Sequence, residues 1–354
     1  MSAAKGDLWL ETGSSGVVNA LTGYLSSIGF VKRKSDASLL IRYGVGDTLF
    51  VLVYVDDIII TGSNTLSVNQ VVTSLASKFS IKDLGNLHYF LGVEVIHNSN
   101  GLILTQANYV NEILNDELMT DCKSVNTPMS ASELLTLSDG THLTDATRYR
   151  RVLGRLQYLS FTRPDIAYAV NKLSQFMKAP SDLHWKAVKR VLRYLRGTIQ
   201  LGLRVTPIDE FNLHVYSDAD WVGTLLTDWS SKKQNIVSRS STESEYRAVA
   251  NALSETLWVT NLLNELHFPV HKLPTIYCDN LGATFLSKNP VLHSRVKHAA
   301  VDFHFVRHYV DIKRVRVIHV HGADQIADTL TKALPKSSFE SNLFKLGLVT
   351  HRLT

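Results

Sequence analysis

A chain of 354 residues, 45% hydrophobic and 19% charged, is long enough for two or three domains with a sizeable core. Its 37 basic and 32 acidic residues give +5, a mild positive charge that suits a polyanionic partner without requiring one. The only cysteines, Cys122 and Cys278, lie far apart and exclude a disulfide framework or a cysteine-based zinc site; no apolar run reaches membrane-spanning length, and "MSAAKGDLWLETG" lacks the apolar core of a signal peptide.

In chain order, Asn19 to Gly29 predicts a short helix, and Ser38 to Arg42 and Thr48 to Val55 predict strands joined by the turn "YGVGD". The flanks of "VYVDDIII", Phe50 to Val55 and Ile58 to Ile60, read as strands buried on both faces. Val68 to Phe79, apolar at 68, 71, 72, 75 and 79, has helical spacing. "LHYFLGVEVI" reads as one strand, turned by Gly101 into the strand "LILTQ". From Tyr109 to Gly202 the pattern is mainly helical, with helices at Tyr149 to Phe161, Pro164 to Met177 and Leu183 to Arg196. The last carries Lys186, Lys189, Arg190, Arg193 and Arg196 around an apolar face of Trp185, Val188, Val191, Leu192 and Leu195. A solvated polar face and a phosphate-contacting face both fit that pattern. After the turn-rich "TPIDEFN" come a strand (Leu213 to Ser217), a helix (Thr242 to Leu266) and a strand (Thr275 to Cys278). Shorter helices, a strand (Val315 to Val320) and a final helix from Ala323 complete a separate α/β domain. The fold class expected is therefore α+β followed by α/β.

Two adjacent carboxylates, Asp56 and Asp57, are costly inside an apolar run unless something neutralises them. Neighbouring side chains on a strand point to opposite faces, so the pair serves one site only at the tip of a tight hairpin. Tyr54–Val55–Asp56–Asp57 resembles the metal-binding signature of reverse transcriptases. "IIITGSN", "FSIKDLGNLHYFLGVEV", "LQYLSFTRPDIAYAVN" and "LRYLRGT" are similar to the polymerase of copia-type long-terminal-repeat retrotransposons, particularly those of plants, and the resemblance runs from about Asn19 to Gly347. It implies that Asp56 and Asp57 hold Mg²⁺ or Mn²⁺, and that RNA, DNA and RNA–DNA hybrid are the partners. The family's site also takes an aspartate from an earlier palm strand. The acids before Tyr54 are Asp7, Glu11, Asp36 and Asp47, and none reads as a strand-borne aspartate ahead of a helix. The expectation is a polymerase lacking its front half, with an incomplete polymerase site.

Beyond residue 207, Asp218 in "LHVYSDADW", Glu245 in "SSTESEYRAVANAL", Asp279 in "TIYCDN" and Asp328 in "ADQIADTLTKAL" stand out. Each has an ordinary reading: a turn cap, the far member of a capping box with Thr242, a helix N-cap, and an exposed helical acid. Together, two at strand ends and two on helices, they resemble the carboxylate tetrad of ribonuclease H. The words "SDADW", "SRSSTESEYRAVA", "YCDN", "KHAAVDFHFVR" and "QIADTLTK" are similar to its copia-type version. That resemblance makes all four catalytic and metal-binding, and places His319 and His321 where related nucleases can carry a mobile histidine. Two departures accompany it. "VGTLLTD" runs directly into "WSSKKQ", so about one strand is missing, and Ala300 stands where the family usually has an acid. If Gln234 to Val237 paired antiparallel with Leu213 to Ser217, the helix would start about 17 Å from Asp218. If "VGTLLTDWSS" were instead an extended return loop, the family arrangement would survive. Poor assembly of the acids is the expectation.

The domains expected are a truncated palm (1–106), a helical thumb and connection (107–206), a ribonuclease H-like domain (207–336) and a tail (337–354). Three functions are carried forward: a hybrid nuclease with an inert polymerase remnant, a non-catalytic nucleic-acid-binding remnant, and the product of a decayed element without a cellular role. A cytoplasmic, nuclear or virus-like-particle location fits the family.

Overall fold

The computed structural model describes residues 4–8, 14–55, 57–79, 81–137, 139–207, 210–220, 224–227, 230–233, 240–268, 270–289 and 300–351. It is a mixed α/β protein of two compact units, Met1–Val95 with Trp258–Pro269, and Ile96–Leu257 with Val270–Thr354. Among the described residues no helix is long and apolar enough to cross a membrane.

The first unit runs β1 (Ala4–Leu8), α1 (Ser14–Ser27), β2 (Val31–Lys32), β3 (Leu39–Gly44), β4 (Asp47–Tyr54), β5 (Asp57–Gly62), α2 (Thr65–Lys78), β6 (Ile81–Asp83) and β7 (Tyr89–Phe90) into β8 (Val93–Asn98), where the boundary falls. One sheet has the order β2-β3-β4-β5-β1-β6. Leu49, Val51 and Val53 of β4 are buried with Leu21 and Leu25 of α1 and Val68, Val71 and Leu75 of α2, while Phe50 and Leu52 are half-buried. Burial thus alternates with the pleat, and the expectation of strands buried on both faces is corrected: α1 and α2 close one face only. Asn64 caps α2 by accepting from the Leu66 amide. "LHYFLGVEVI" is also not one strand. Leu91 and Gly92 have φ of 46° and 72° and turn β7 back onto β8, pairing Phe90 with Val93. Positive φ at both central residues is the type I′ form of a two-residue hairpin turn.

The second unit begins with β9 (Gly101–Thr105), α3 (Ala107–Asp116), α4 (Ala146–Leu159), a 3-10 turn led by Pro164, α5 (Ala167–Ser174), α6 (Asp182–Gly197) and β10 (Leu201–Val205). Ile113, Tyr149, Leu153, Leu156, Leu173, Val188 and Leu192 are among the residues of its helical core. Asp145 caps α4, and Ser181 with His184 forms a capping box on α6. Arg163 and Asp165 are buried in this layer as a two-pronged ion pair, at 3.0 and 2.7 Å, with the Tyr194 hydroxyl donating to Asp165.

Next come β11 (His214–Ser217), β12 (Ala219–Asp220), β13 (Thr224–Thr227), β14 (Ser230–Lys233), α7 (Ser241–Glu265), β15 (Thr275–Cys278), α8 (Leu281–Lys288), α9 (Ala300–Asp311), β16 (Arg316–His319), α10 (Asp328–Thr331), α11 (Lys336–Lys345) and β17 (Leu348–Thr350). β11, β15 and β16 are parallel, in that order, over a core that includes Tyr246, Val249, Leu253, Ile276, Phe303 and Val317. β17, β10 and β9 pair antiparallel. The helix expected from Ala323 is corrected to a 3-10 turn, the four-residue α10 and a separate α11. Lys332 leaves α10 in extended geometry three residues ahead of Pro335.

Candidate metal centre

Parallel register decides the geometry of the second unit. Ser217 lies opposite Cys278, and Cys278 opposite His319, so the three strands end at one edge. The next residues on β11 and β15 are Asp218 and Asp279, and strand ends of this kind are where open α/β sheets place their ligands. α10 brings Asp328 to the same place. One ligand oxygen each from Asp218, Asp279 and Asp328 lies within 4.8 Å of the others, as do ligand atoms of Glu245, Cys278 and Asp279.

Asp218 is fully buried. The Thr331 hydroxyl donates to it, and Lys332 Nζ is 3.3 Å from it and 2.8 Å from Asp328. Glu245 accepts from the Ala219 amide at 3.2 Å, and the Cys278 thiol lies 3.7 Å from its other oxygen. Gln325 donates to the Ser217 carbonyl at 2.9 Å, pinning the end of β11. Burial, then the charges of Asp218 and Asp279, pushes the Glu245 carboxyl well above its usual range. Asp279 is raised by burial and by Asp218. Asp328 is raised by burial, with Lys332 opposing. Burial alone would lower the Lys332 ammonium, but Asp218 and Asp328 raise it. Among the described residues, four carboxylates, two of them buried, thus share this place with one ammonium. The excess negative charge and the hard oxygen donors fit Mg²⁺ or Mn²⁺.

None of the ordinary readings describes these acids. Ser240, not Thr242, caps α7 by accepting from the Glu243 amide, and Asn280, not Asp279, caps α8. Asp218 is buried, and Asp328 is paired and mostly covered. The expected strand Gln234 to Val237 lies outside the described residues. The described residues within "VGTLLTDWSS" are not an extended loop, because β13 pairs antiparallel with β14 and β12 with β13. The expected displacement of Glu245 from Asp218 is corrected by the Glu245–Ala219 hydrogen bond. His319 Nε2 lies 3.1 Å from the Asp279 carbonyl, and His321 accepts from the Ala323 amide. Cys278, Gln325, Thr331 and Lys332 escaped the sequence reading. Their only signals were adjacency to Asp279 and position three before, and three and four after, Asp328.

In the first unit Tyr54 pairs with Asp57 across the expected hairpin, with Val55 at φ 49°. Asp56 lies outside the described residues. One expectation is corrected here: Asp7 lies in β1 as the register partner of Asp57, and α1 follows from Ser14. "AKGDL" carries no strand signal of its own; β5 and β6 impose one by pairing on both sides.

The basic face of α6 is largely engaged with its own chain. Arg193 donates to the Lys123 carbonyl at 2.7 Å, Arg196 to that of Thr120, and Arg190 to the Thr127 hydroxyl at 2.9 Å. Lys186 is 3.4 Å from Glu133, and Lys189 is exposed.

A family profile described as reverse transcriptase (RNA-dependent DNA polymerase) matches residues 14–131. The chain is 47% identical over 347 residues to the retrovirus-related Pol polyprotein from transposon RE2 of Arabidopsis thaliana, covering 93% of this chain and 24% of that protein. It is 41% identical over 226 residues to the uncharacterized mitochondrial protein AtMg00810 of the same plant, covering 59% of this chain and 94% of that one. It is 31% identical over 250 residues to the putative transposon Ty5-1 protein YCL074W of Saccharomyces cerevisiae, covering 65% and 81%. The chain spans about a quarter of the length of the RE2 polyprotein. By these matches the chain belongs to the copia-type retrotransposon Pol family, is plant-like within it, and carries that family's reverse transcriptase domain.

Proposed function

We propose that this chain is a fragment of a retrotransposon reverse transcriptase and ribonuclease H whose own activity is metal-dependent cleavage of the RNA strand in RNA–DNA hybrids. The observation that carries this reading is the convergence of Asp218, Asp279 and Asp328 within 4.8 Å, with Glu245 beside them. Mg²⁺ or Mn²⁺ would be held by these four residues, and when bound would activate water and neutralise charge on the scissile phosphate. The chain's remaining contributions are its own. Thr331 fixes Asp218, the Ala219 amide orients Glu245, and Gln325 holds the strand end that carries Asp218. In this reading residues 1–106 are a palm remnant, 107–206 thumb and connection, 207–336 a ribonuclease H-like domain and 337–354 a tail. Asp56 and Asp57 belong to the polymerase remnant, for which we propose no activity in this chain alone.

A panel of end-labelled substrates tests the assignment. With Mg²⁺ or Mn²⁺ the RNA of a hybrid is cut, while single-stranded RNA, duplex DNA and the DNA strand of the hybrid are left intact. Equal cutting of all four would make the activity a general nuclease, and primer extension lost in Asp57→Asn would show a working polymerase.

A further inference from the structure

The carboxylate cluster carries its own cation. Lys332 Nζ lies 2.8 Å from Asp328 and 3.3 Å from Asp218, two of the three acids that come within 4.8 Å of one another. Its backbone is fixed, with its amide donating to the Asp328 carbonyl at 2.9 Å, and Ala333 and Leu334 beyond it pack on the helical core. The side chain is free in a way its partners are not. It is 41% exposed, while that of Asp218 is 1% exposed, so the ammonium stands between a buried acid and solvent. A lysine stem is flexible and its ammonium is a compact point charge without a required geometry. A hard divalent cation needs the same oxygens, and two cations at that range repel.

We propose that Lys332 is an internal counter-ion. It holds Asp218 and Asp328 together when no divalent cation is bound, must withdraw from them when one enters, and so sets the ion concentration at which the site fills. This rests on the reading of the cluster as a hard-cation site. A lysine that merely oriented two ligands would act in the opposite sense, since its removal would weaken ion binding.

The test is Mn²⁺ binding to the full chain, followed by electron paramagnetic resonance of the free ion, for the unmodified protein, K332M, K332R and D218N. K332M should bind Mn²⁺ about tenfold more tightly, because one opposing charge is gone. K332R should stay within about twofold of the unmodified chain, since the charge is kept. In EDTA, K332M should melt below the unmodified chain, and saturating Mn²⁺ should close the gap. If K332M does not fold in EDTA, K332Q supplies the same comparison. Unchanged or weaker Mn²⁺ binding by K332M, or by K332Q in its place, with binding lost in D218N, overturns the counter-ion proposal and leaves the site reading standing. Binding that survives in D218N places the ion elsewhere and overturns both.

Discussion

At Arg163 a guanidinium with no exposed surface is held by one carboxylate, by the Thr198 carbonyl at 2.9 Å and by the Thr198 hydroxyl at 2.8 Å. Removing one partner of such a pair strands a buried charge. Asp165→Ala should therefore cost about 3–5 kcal/mol, whereas Arg163→Met with Asp165→Leu should cost less than either single change. Urea unfolding of the three variants measures this, and an Asp165→Ala midpoint equal to the parent's would contradict it. "TRPD" was legible in the sequence only as part of a family word; the pair needs Tyr194 of α6 and Thr198 just beyond its end, which no local pattern announces. A second residue-scale prediction concerns acid. Burial holds the His184 imidazole below its usual 6.5, and hydrogen bonds from Ser181 and Thr141 hold Asp139 down to about 2. Both native values lie below the unfolded ones, so the unfolded chain binds more protons as pH falls. Stability should drop below about pH 6.5 through His184, and again from about 3.8 toward about 2 through Asp139. His184→Gln keeps a side-chain acceptor at the third helical position and does not titrate. It should flatten the first of these falls in a melting series across pH; an unchanged slope would remove His184 as its cause.

Among the elements, α6 was the most legible, because its apolar spacing identified Val188, Val191, Leu192 and Leu195, all of which are buried. Its basic face was not, since arginines that contact phosphate and arginines that tie down a neighbouring segment have the same spacing. Here Arg190, Arg193 and Arg196 bind the segment from Thr120 to Thr127. R193Q with R196Q should speed amide exchange in that segment by about tenfold, the loss of one or two hydrogen bonds. The slope of hybrid binding against salt should change by less than about one. A slope falling by about two would return the face to a phosphate-contacting role. β1 marks the opposite limit of legibility. Five residues including a glycine become a strand because β5 and β6 flank them, which is a non-local cause that propensity cannot register.

Across the whole molecule, each carboxylate of the cluster had a sufficient local explanation in the sequence, and what distinguishes them is where distant segments meet. Asp218 and Asp279 share an edge because β11 and β15 run parallel, α10 carries Asp328 to that edge, and Glu245 leans on the Ala219 amide. Family resemblance made the four residues recognisable. It did not foresee that Thr224–Thr227 and Ser230–Lys233 pair antiparallel while Glu245 keeps its place beside Ala219, because loop paths are weakly constrained by length. In the proposed function the cluster holds a hard cation through all its members, so single losses should be severe. The most direct measurement is cleavage of a labelled RNA–DNA hybrid by the full chain in Mg²⁺ and in Mn²⁺, beside Asp218→Asn and Asp279→Asn. The RNA strand should be cut by the unmodified chain and at least about 100-fold more slowly by either variant. A hybrid left intact at every Mg²⁺ and Mn²⁺ concentration, or cut equally well by the variants, would contradict the assignment.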